Sequence, residues 1–422
     1  MAADAITIQK LRAFQNNSLA RSKSLMALEQ PGSDLVFQSE FLATNGQVQG
    51  KSGEEVIAFR RLGVSEDKDE NDRKPVELSE LTWELDVFST DCNWRVDACM
   101  AMFQANGLSK SFKIADSALM RFILTVRANY HENPFHNFAH AFSVLHAAWL
   151  MCGDPEIGAC LEERDILAIL IAAICHDVDH PGVNNDFLNK AKDPLSARYP
   201  APFLENHHSA VTQEILTDAG AQTDLLRNLE AEERDYIMEM ILGGIAATDM
   251  GVHTKLCDKL HQKAERKAQG EPISSLFKKD SLDDRRELVQ VVVHAADLSA
   301  QALDSKETAY QFGQRCLREF HYQCRKEGDL GVEESGFMKN LDKPLQQAKA
   351  QLGFISFVLV PLWADFAAVF SGMEMRRKNV EERMKEIDFD NIDEWGGLVP
   401  DLTPHPERPP KESPAPPTSK EI

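Results

Sequence analysis

From residue 81 to about 388 the apolar positions of the chain recur at helical spacing. Leu119, Phe122, Ile123 and Val126 fall at i, i+3, i+4 and i+7, and Leu288, Val291, Val292 and Ala295 repeat the pattern, so each set lines one face of an amphipathic helix. Residues 166–175 are apolar on every side, which predicts a helix at the centre of a large helical domain. Alternating strand-like runs joined by two-residue turns are scarce, and Asn106-Gly107 reads as a helix C-cap rather than a hairpin turn. No repeat of fixed period is visible. The predicted fold class is all-α.

Outside that region the pattern breaks down. Residues 1–78 hold one short amphipathic set (Ile8, Leu11, Ala13, Phe14), then Ser, Gly, Gln and Asn, then the charged run Ser65-Glu66-Asp67-Lys68-Asp69-Glu70. Residues 391–422 carry Pro400, Pro404, Pro406, Pro409, Pro410, Pro414, Pro416 and Pro417 among charges, a composition that cannot build a core and is expected to be disordered. The organisation expected is therefore a flank over 1–78, a helical domain over 79–390 and a Pro-rich tail over 391–422. The most apolar stretch, residues 352–370, contains Pro361 and Asp365, whereas a membrane-spanning helix needs about 20 predominantly apolar residues. It reads as a buried helix pair or a kinked helix, not as a membrane span.

Charge and cysteine usage narrow the function. Lys and Arg total 46 against 67 for Asp and Glu, a formal net charge of −21, which argues against an extensive grip on a nucleic-acid polymer. Any anionic substrate must then be held by local positive charge, supplied by bound cations. The eight cysteines lack the paired short spacings of zinc ribbons or disulfide scaffolds, and Cys99 and Cys160 read as helix-core thiols. The opening Met1-Ala2-Ala3-Asp4-Ala5 has neither a secretory signal nor a myristoylation pattern. An intracellular, soluble, cytoplasmic protein is expected.

Four clusters carry the candidate chemistry. In His136-Asn137-Phe138-Ala139-His140 two imidazoles four residues apart would share one helix face. His176-Asp177-Val178-Asp179-His180-Pro181-Gly182 ends the all-apolar helix, where buried carboxylates and imidazoles are costly unless paired or bound to cations. His294-Ala295-Ala296-Asp297 sets another acid at the end of an amphipathic helix, and Gln351 and Phe354 open an apolar segment three residues apart. A lone helical histidine is more often structural than a ligand, and His-Asp alone is weaker still. The conjunction of imidazoles with two carboxylates, however, is a donor set that borderline-hard divalent cations accept.

In this order, His136-Asn137-x-x-His140, His176-Asp177-x-x-His180-Pro181-Gly182, Ala296-Asp297-Leu298-Ser299 and Gln351-x-x-Phe354 resemble the class I cyclic nucleotide phosphodiesterases. The resemblance runs from about Trp83 to about Phe370 and takes in Leu204-Glu205-Asn206-His207-His208 and Ala247-Thr248-Asp249-Met250. It implies a large multi-helix catalytic domain of the His-Asp metal phosphohydrolase type. The activity implied is metal-dependent hydrolysis of 3′,5′-cyclic nucleotides, cAMP and/or cGMP, to 5′-monophosphates, ending cyclic nucleotide signalling. His140, His176, Asp177 and Asp297 would hold Zn²⁺, with Asp177 bridging to a second ion, Mg²⁺ or Mn²⁺. A hydroxide bridging the ions would be the nucleophile, and His136, oriented by Glu319, would protonate the leaving ribose oxygen. By the same resemblance His180, Glu205, Thr248 and Asp249 would position ligands or bound water. Gln351 would pair with the polar edge of the base, Phe354 would stack on its face, and Met250, Cys316 and Asn185 would complete the pocket.

The chain departs from the family's pattern in places. Ala300 stands where adenine-selective members carry Asn, which leaves the choice between cAMP and cGMP open. One extra residue separates Asp297 from Glu319, and Phe312 stands where Trp is frequent. The aliphatic half of the base clamp then falls on Cys316, with Leu317 the alternative. No regulatory module is recognisable in residues 1–78, the flank through which a homodimer or a regulatory partner would engage. Two rival readings are a His-Asp phosphohydrolase acting on another phosphoester, which has no need of Gln351 and Phe354, and a cyclic nucleotide sensor, which has no need of a leaving-group acid.

Overall fold

The computed structural model describes residues 76–389, apart from 106, 219 and 221, together with 392. The expected amphipathic segment near Ile8, the Pro-rich tail and Asn106 lie outside the described residues. Gly107, at φ 71°, takes the left-handed conformation that follows a helix end.

Among the described residues there is no strand. The main helices are α1 (Cys92–Ala105), α2 (Asp116–Asn129), α3 (Phe138–Cys152), α4 (Glu163–Cys175), α5 (Asn185–Ala191), α6 (Phe203–Thr217), α7 (Ala231–Ala246), α8 (His253–Ala268), α9 (Leu282–Asp297), α10 (Lys306–Asp329), α11 (Pro344–Phe354), α12 (Val360–Val369) and α13 (Glu374–Lys385). The predicted faces are the buried ones: Leu119, Phe122, Ile123 and Val126 on α2 and Leu288, Val291, Val292 and Ala295 on α9 are all in the core.

Helix α4 is the axis of the domain. Residues 167–175 are completely buried, and α3, α7 and α9 pack around it. Each fully buried Leu or Ile there contributes about 1.5–3 kcal/mol relative to exposure, so this helix cannot shift without loss of much of the core. Gly244 permits the close approach of α7, since a Cβ at that position would lie 3.0 Å from Ala172 Cβ and 3.2 Å from Val293 Cγ2. The helix starts with a capping box made by Glu162 and Asp165 and ends at His176, directly before the Asp177–His180 turn.

The long apolar run is a core element. The helices α11 and α12 are joined by a π-helical turn, Ile355–Leu359, just ahead of Pro361, which has no N–H for an i→i−4 bond. Pro344–Val369 is long and apolar enough by composition to cross a membrane, but 56% of its most apolar window is buried inside the fold, and Trp363 Nε1 donates to Leu298 O at 3.3 Å.

Two local expectations are corrected. His136 and His140 do not share a helix, because Asn137 is the N-cap of α3: its side-chain oxygen accepts from Ala139 N (2.9 Å) and His140 N (3.3 Å). Cys160 is buried in a turn after a one-turn helix, Pro155–Gly158, rather than within a helix.

Candidate metal and hydrolytic centre

The C-terminal ends of α4 and α9 converge, and with them the acids they carry. The ligand atoms of His140, His176, Asp177 and Asp297 lie within 4.8 Å of one another. Asp297 Oδ1 is 3.1 Å from His140 Nε2 and 3.2 Å from His176 Nε2, and Asp177 Oδ2 is 3.1 Å from His176 Nε2 and 3.5 Å from His140 Nε2. His140 and His176 are almost wholly buried. Among the described residues no Lys or Arg pairs with either carboxylate, so their charge faces imidazoles alone. A helix C-terminus is the negative end of the helix dipole, and two such ends beside two carboxylates make a strong local demand for positive charge.

The donor set fits a divalent cation. His176 Nδ1 donates to Ala173 O at 2.9 Å, which turns Nε2 toward the carboxylates and fixes the tautomer a metal ligand needs. Burial opposes protonation of His176, yet the adjacent Asp177 and Asp297 hold its pKa well above the ordinary value. His208 Nδ1 donates to Val178 O at 2.7 Å, leaving its buried Nε2 without a hydrogen-bond partner 3.6 Å from Asp177 Oδ1. Tyr130 braces the same turn, donating to Ile174 O at 3.0 Å and accepting from Asp177 N at 3.2 Å.

Next to this cluster stands His136, its Nε2 3.9 Å from Asp177 Oδ2. Its Nδ1 is hydrogen-bonded to Glu319 Oε1, and Glu319 Oε2 accepts from Phe135 N (3.0 Å) and His136 N (3.1 Å). Burial lowers the affinity of His136 for a proton, but Glu319, and then Asp177, outweigh it and push the pKa up to about 9. Glu319 is held down to about 2 against its burial, chiefly by His136. The His180 ring stacks on that of His136 with centroids 3.9 Å apart. It is kept neutral, its pKa depressed first by burial and then by the His136 charge.

The remaining predicted residues fall around this centre unevenly. Asn185 spends its amide on α6, with Nδ2 donating to Glu205 Oε2 (2.9 Å) and Oδ1 accepting from Leu204 N (2.9 Å); it orients Glu205. Burial pushes the Glu205 carboxyl up to about 7. Thr248 Oγ1 donates to Ile245 O at 2.8 Å, and Asp249 accepts from Gly251 N at 2.9 Å. Met250 and Phe354 are exposed, at 46% and 42%, which leaves the Phe354 ring open for stacking. Leu317 is committed to a separate small core with Cys324, Met338 and Leu341. Cys316 lies one turn from Gly313 on α10, and burial raises its thiol pKa beyond the reactive range.

Sequence reasoning missed Gly313. A Cβ there would lie 2.5 Å from Gln351 Nε2, so the amide rests directly on the α10 backbone, and Gln351 Oε1 is buried without a partner. It also missed His131, Asn133 and Asp179, which frame the site from behind; the only signal for Asp179 was a second acid inside the His176–His180 motif.

The sequence pattern described as 3'5'-cyclic nucleotide phosphodiesterase matches residues 135–380. A relative named 3',5'-cyclic-AMP phosphodiesterase 4C from Mus musculus is 31% identical over 356 residues, 82% of this chain and 49% of its own length. The Rattus norvegicus protein of the same name is also 31% identical over 356 residues, 82% of this chain and 63% of its own. The chain thus spans about half to just under two-thirds of these relatives. Among solved structures, the phosphodiesterase domain of the RhoPDE fusion protein from the choanoflagellate Salpingoeca rosetta superposes with a TM-score of 0.68 at 28% identity, over 75% of this chain and 96% of that one.

Proposed function

This chain belongs to the 3',5'-cyclic nucleotide phosphodiesterase family, and from that premise we propose that residues 79–390 form a catalytic unit hydrolysing cAMP and/or cGMP to 5′-monophosphates, thereby ending intracellular cyclic nucleotide signals. The observation that carries this reading is the juxtaposition of the His140, His176, Asp177 and Asp297 donor set with His136, which stands 3.9 Å from Asp177 and is bound to Glu319.

His140, His176, Asp177 and Asp297 would hold Zn²⁺, and Asp177, with His180, His208 and Glu205 near it, would share a second ion, Mg²⁺ or Mn²⁺. Bound there, divalent cations would acidify a water and neutralise phosphate oxygens. The protein's own part is proton management and orientation. His136 keeps a proton at Nε2 at neutral pH because Glu319 occupies Nδ1 and stabilises the imidazolium. That proton is available to the ribose 3′ oxygen, which leaves poorly as an alkoxide. Glu319, fixed by two backbone N–H groups, allows the ring one orientation only. Gln351 offers an acceptor and two donors to a purine edge, Phe354 its exposed face, and Cys316 the small, polarizable opposite wall. A homodimer or regulatory partner would engage through residues 1–78.

The direct test is hydrolysis of cAMP and cGMP side by side by metal-stripped protein, before and after adding Mg²⁺ or Mn²⁺. cAMP is the first substrate to assay, given the names of the curated relatives. Turnover that appears only with metal supports the proposal, and folded, metal-loaded protein that hydrolyses neither nucleotide overturns it.

A further inference from the structure

Asp179 plays no part in the reaction above, yet three segments of the site's framework meet on it. It sits two residues past Asp177 at φ 62°, the left-handed region that disfavours residues with a Cβ, although Asp and Asn enter it more readily than most. Such a conformation persists where the surroundings fix it, and three contacts do so here. The Asp179 N–H donates to Asn129 O at the end of α2 (3.0 Å). Its Oδ1 lies 2.5 Å from His131 Nε2 in the link between α2 and α3, and its Oδ2 lies 2.9 Å from His207 Nε2 on α6.

Each histidine leads to the centre. The link that begins at His131 carries Asn133, whose Nδ2 donates to His136 O (2.9 Å) and to His180 O (2.8 Å), and it ends on His136 itself. His207 is followed by His208, which holds Val178 O and faces Asp177, and is preceded by Glu205 on the same helix. The geometry points to Asp179 as a positioning residue: gripped by His131 and His207, it locks the turn carrying Asp177 and His180 between the two flanking segments and so sets how tightly the centre holds a divalent cation. This rests on the reading of His140, His176, Asp177 and Asp297 as ligands.

The alternative is that Asp179 serves only to make the turn. Asp179→Gly separates the two, because glycine adopts the left-handed backbone freely and lacks the carboxylate. On the full chain stripped of metal, Mn²⁺ titrated by calorimetry is expected to bind Asp179→Gly about 10–100-fold more weakly than the parent, the range typical for loss of a group that orients metal ligands. Asp179→Asn is isosteric, tolerates the same backbone and keeps at least one histidine bond, so its affinity is expected between the two. Parent-like Mn²⁺ affinity in both variants overturns the inference. Should the glycine variant fail to fold, Asp179→Asn decides alone: binding at least about threefold weaker supports the inference and unchanged binding refutes it. A parent that binds no Mn²⁺ overturns the ligand reading itself, an outcome visible before any variant is compared.

Discussion

Helix α4 carries a buried carboxylate at its N-terminal end and delivers another at its C-terminal end, and the two are treated oppositely. Asp165, fully buried in the first turn, accepts from Glu162 N at 2.8 Å and from the Tyr236 hydroxyl, and pairs with Arg285 Nε at 3.1 Å. The positive end of the helix dipole adds to this, and both carboxylate oxygens have protein partners. Asp177 lies past the negative end of the same dipole, opposite a second acid at the end of a second helix, with imidazoles where an arginine would close the account. A permanent guanidinium makes a carboxylate structural. Imidazoles, which can give up their proton, leave it able to take an exchangeable cation.

The sharpest way to break this comparison is to remove an acid from the functional end. Asp297→Ala is expected to lose bound metal and to lower cAMP turnover by on the order of a thousandfold or more, measured by elemental analysis and a 5′-AMP assay. His136→Ala should lower kcat by about 10²–10⁴-fold, the usual contribution of a general acid, while keeping parent-like metal content. Equal metal content in the two variants would overturn the division of labour drawn between them.

The structural end gives the next largest effect. Asp165→Asn removes one of the two carboxylates paired with the buried Arg285 and leaves Glu162 Oε1, at 2.9 Å, as the other, a loss of about 1.5–3 kcal/mol for a hydrogen bond to a charged group, read as a lower thermal midpoint. Mn²⁺ affinity should not change. A variant that loses metal affinity in proportion to stability would show that the two ends are one cooperative structure, and the contrast would fail.

How much of this was legible in the chain follows the same divide. The α4 axis was legible because nine consecutive buried residues leave no polar face, and His176 and Asp177 were legible as candidate ligands because charges placed directly after such a run have no cheap explanation. The pairing of Asp165 with Arg285 was not, since 120 residues of chain separate them. The position of His136 outside α3 was legible in principle: Asn137 before an apolar run is an N-cap signal, and the i, i+4 spacing of the histidines obscured it. Gly313 was beyond reach, because nothing in the chain foretells where α10 and α11 cross.

Glu205 settles a partly buried carboxylate in a third way, with a proton, and the smallest predicted effect is the one that tests it. Among the described residues it has no Lys or Arg partner, only the Asn185 amide, and burial pushes its carboxyl from 4.5 to about 7. Between those values the folded protein holds a proton that the unfolded chain releases. The stabilisation from neutral Glu205 is therefore complete below about pH 4.5 and lost as the pH rises through about 7. Each pH unit is worth about 1.4 kcal/mol, and solvent screening at this half-buried group brings the whole to about 1–3 kcal/mol. Glu205→Gln removes the titration and keeps the shape. In metal-free protein, the midpoint difference between variant and parent should therefore favour the glutamine more at about pH 7.5 than at about pH 5. A difference that is the same at both would mean that Glu205 is ionised throughout and sits at the functional end of α4 as a carboxylate with no cationic partner, unlike Asp165, which Arg285 pairs.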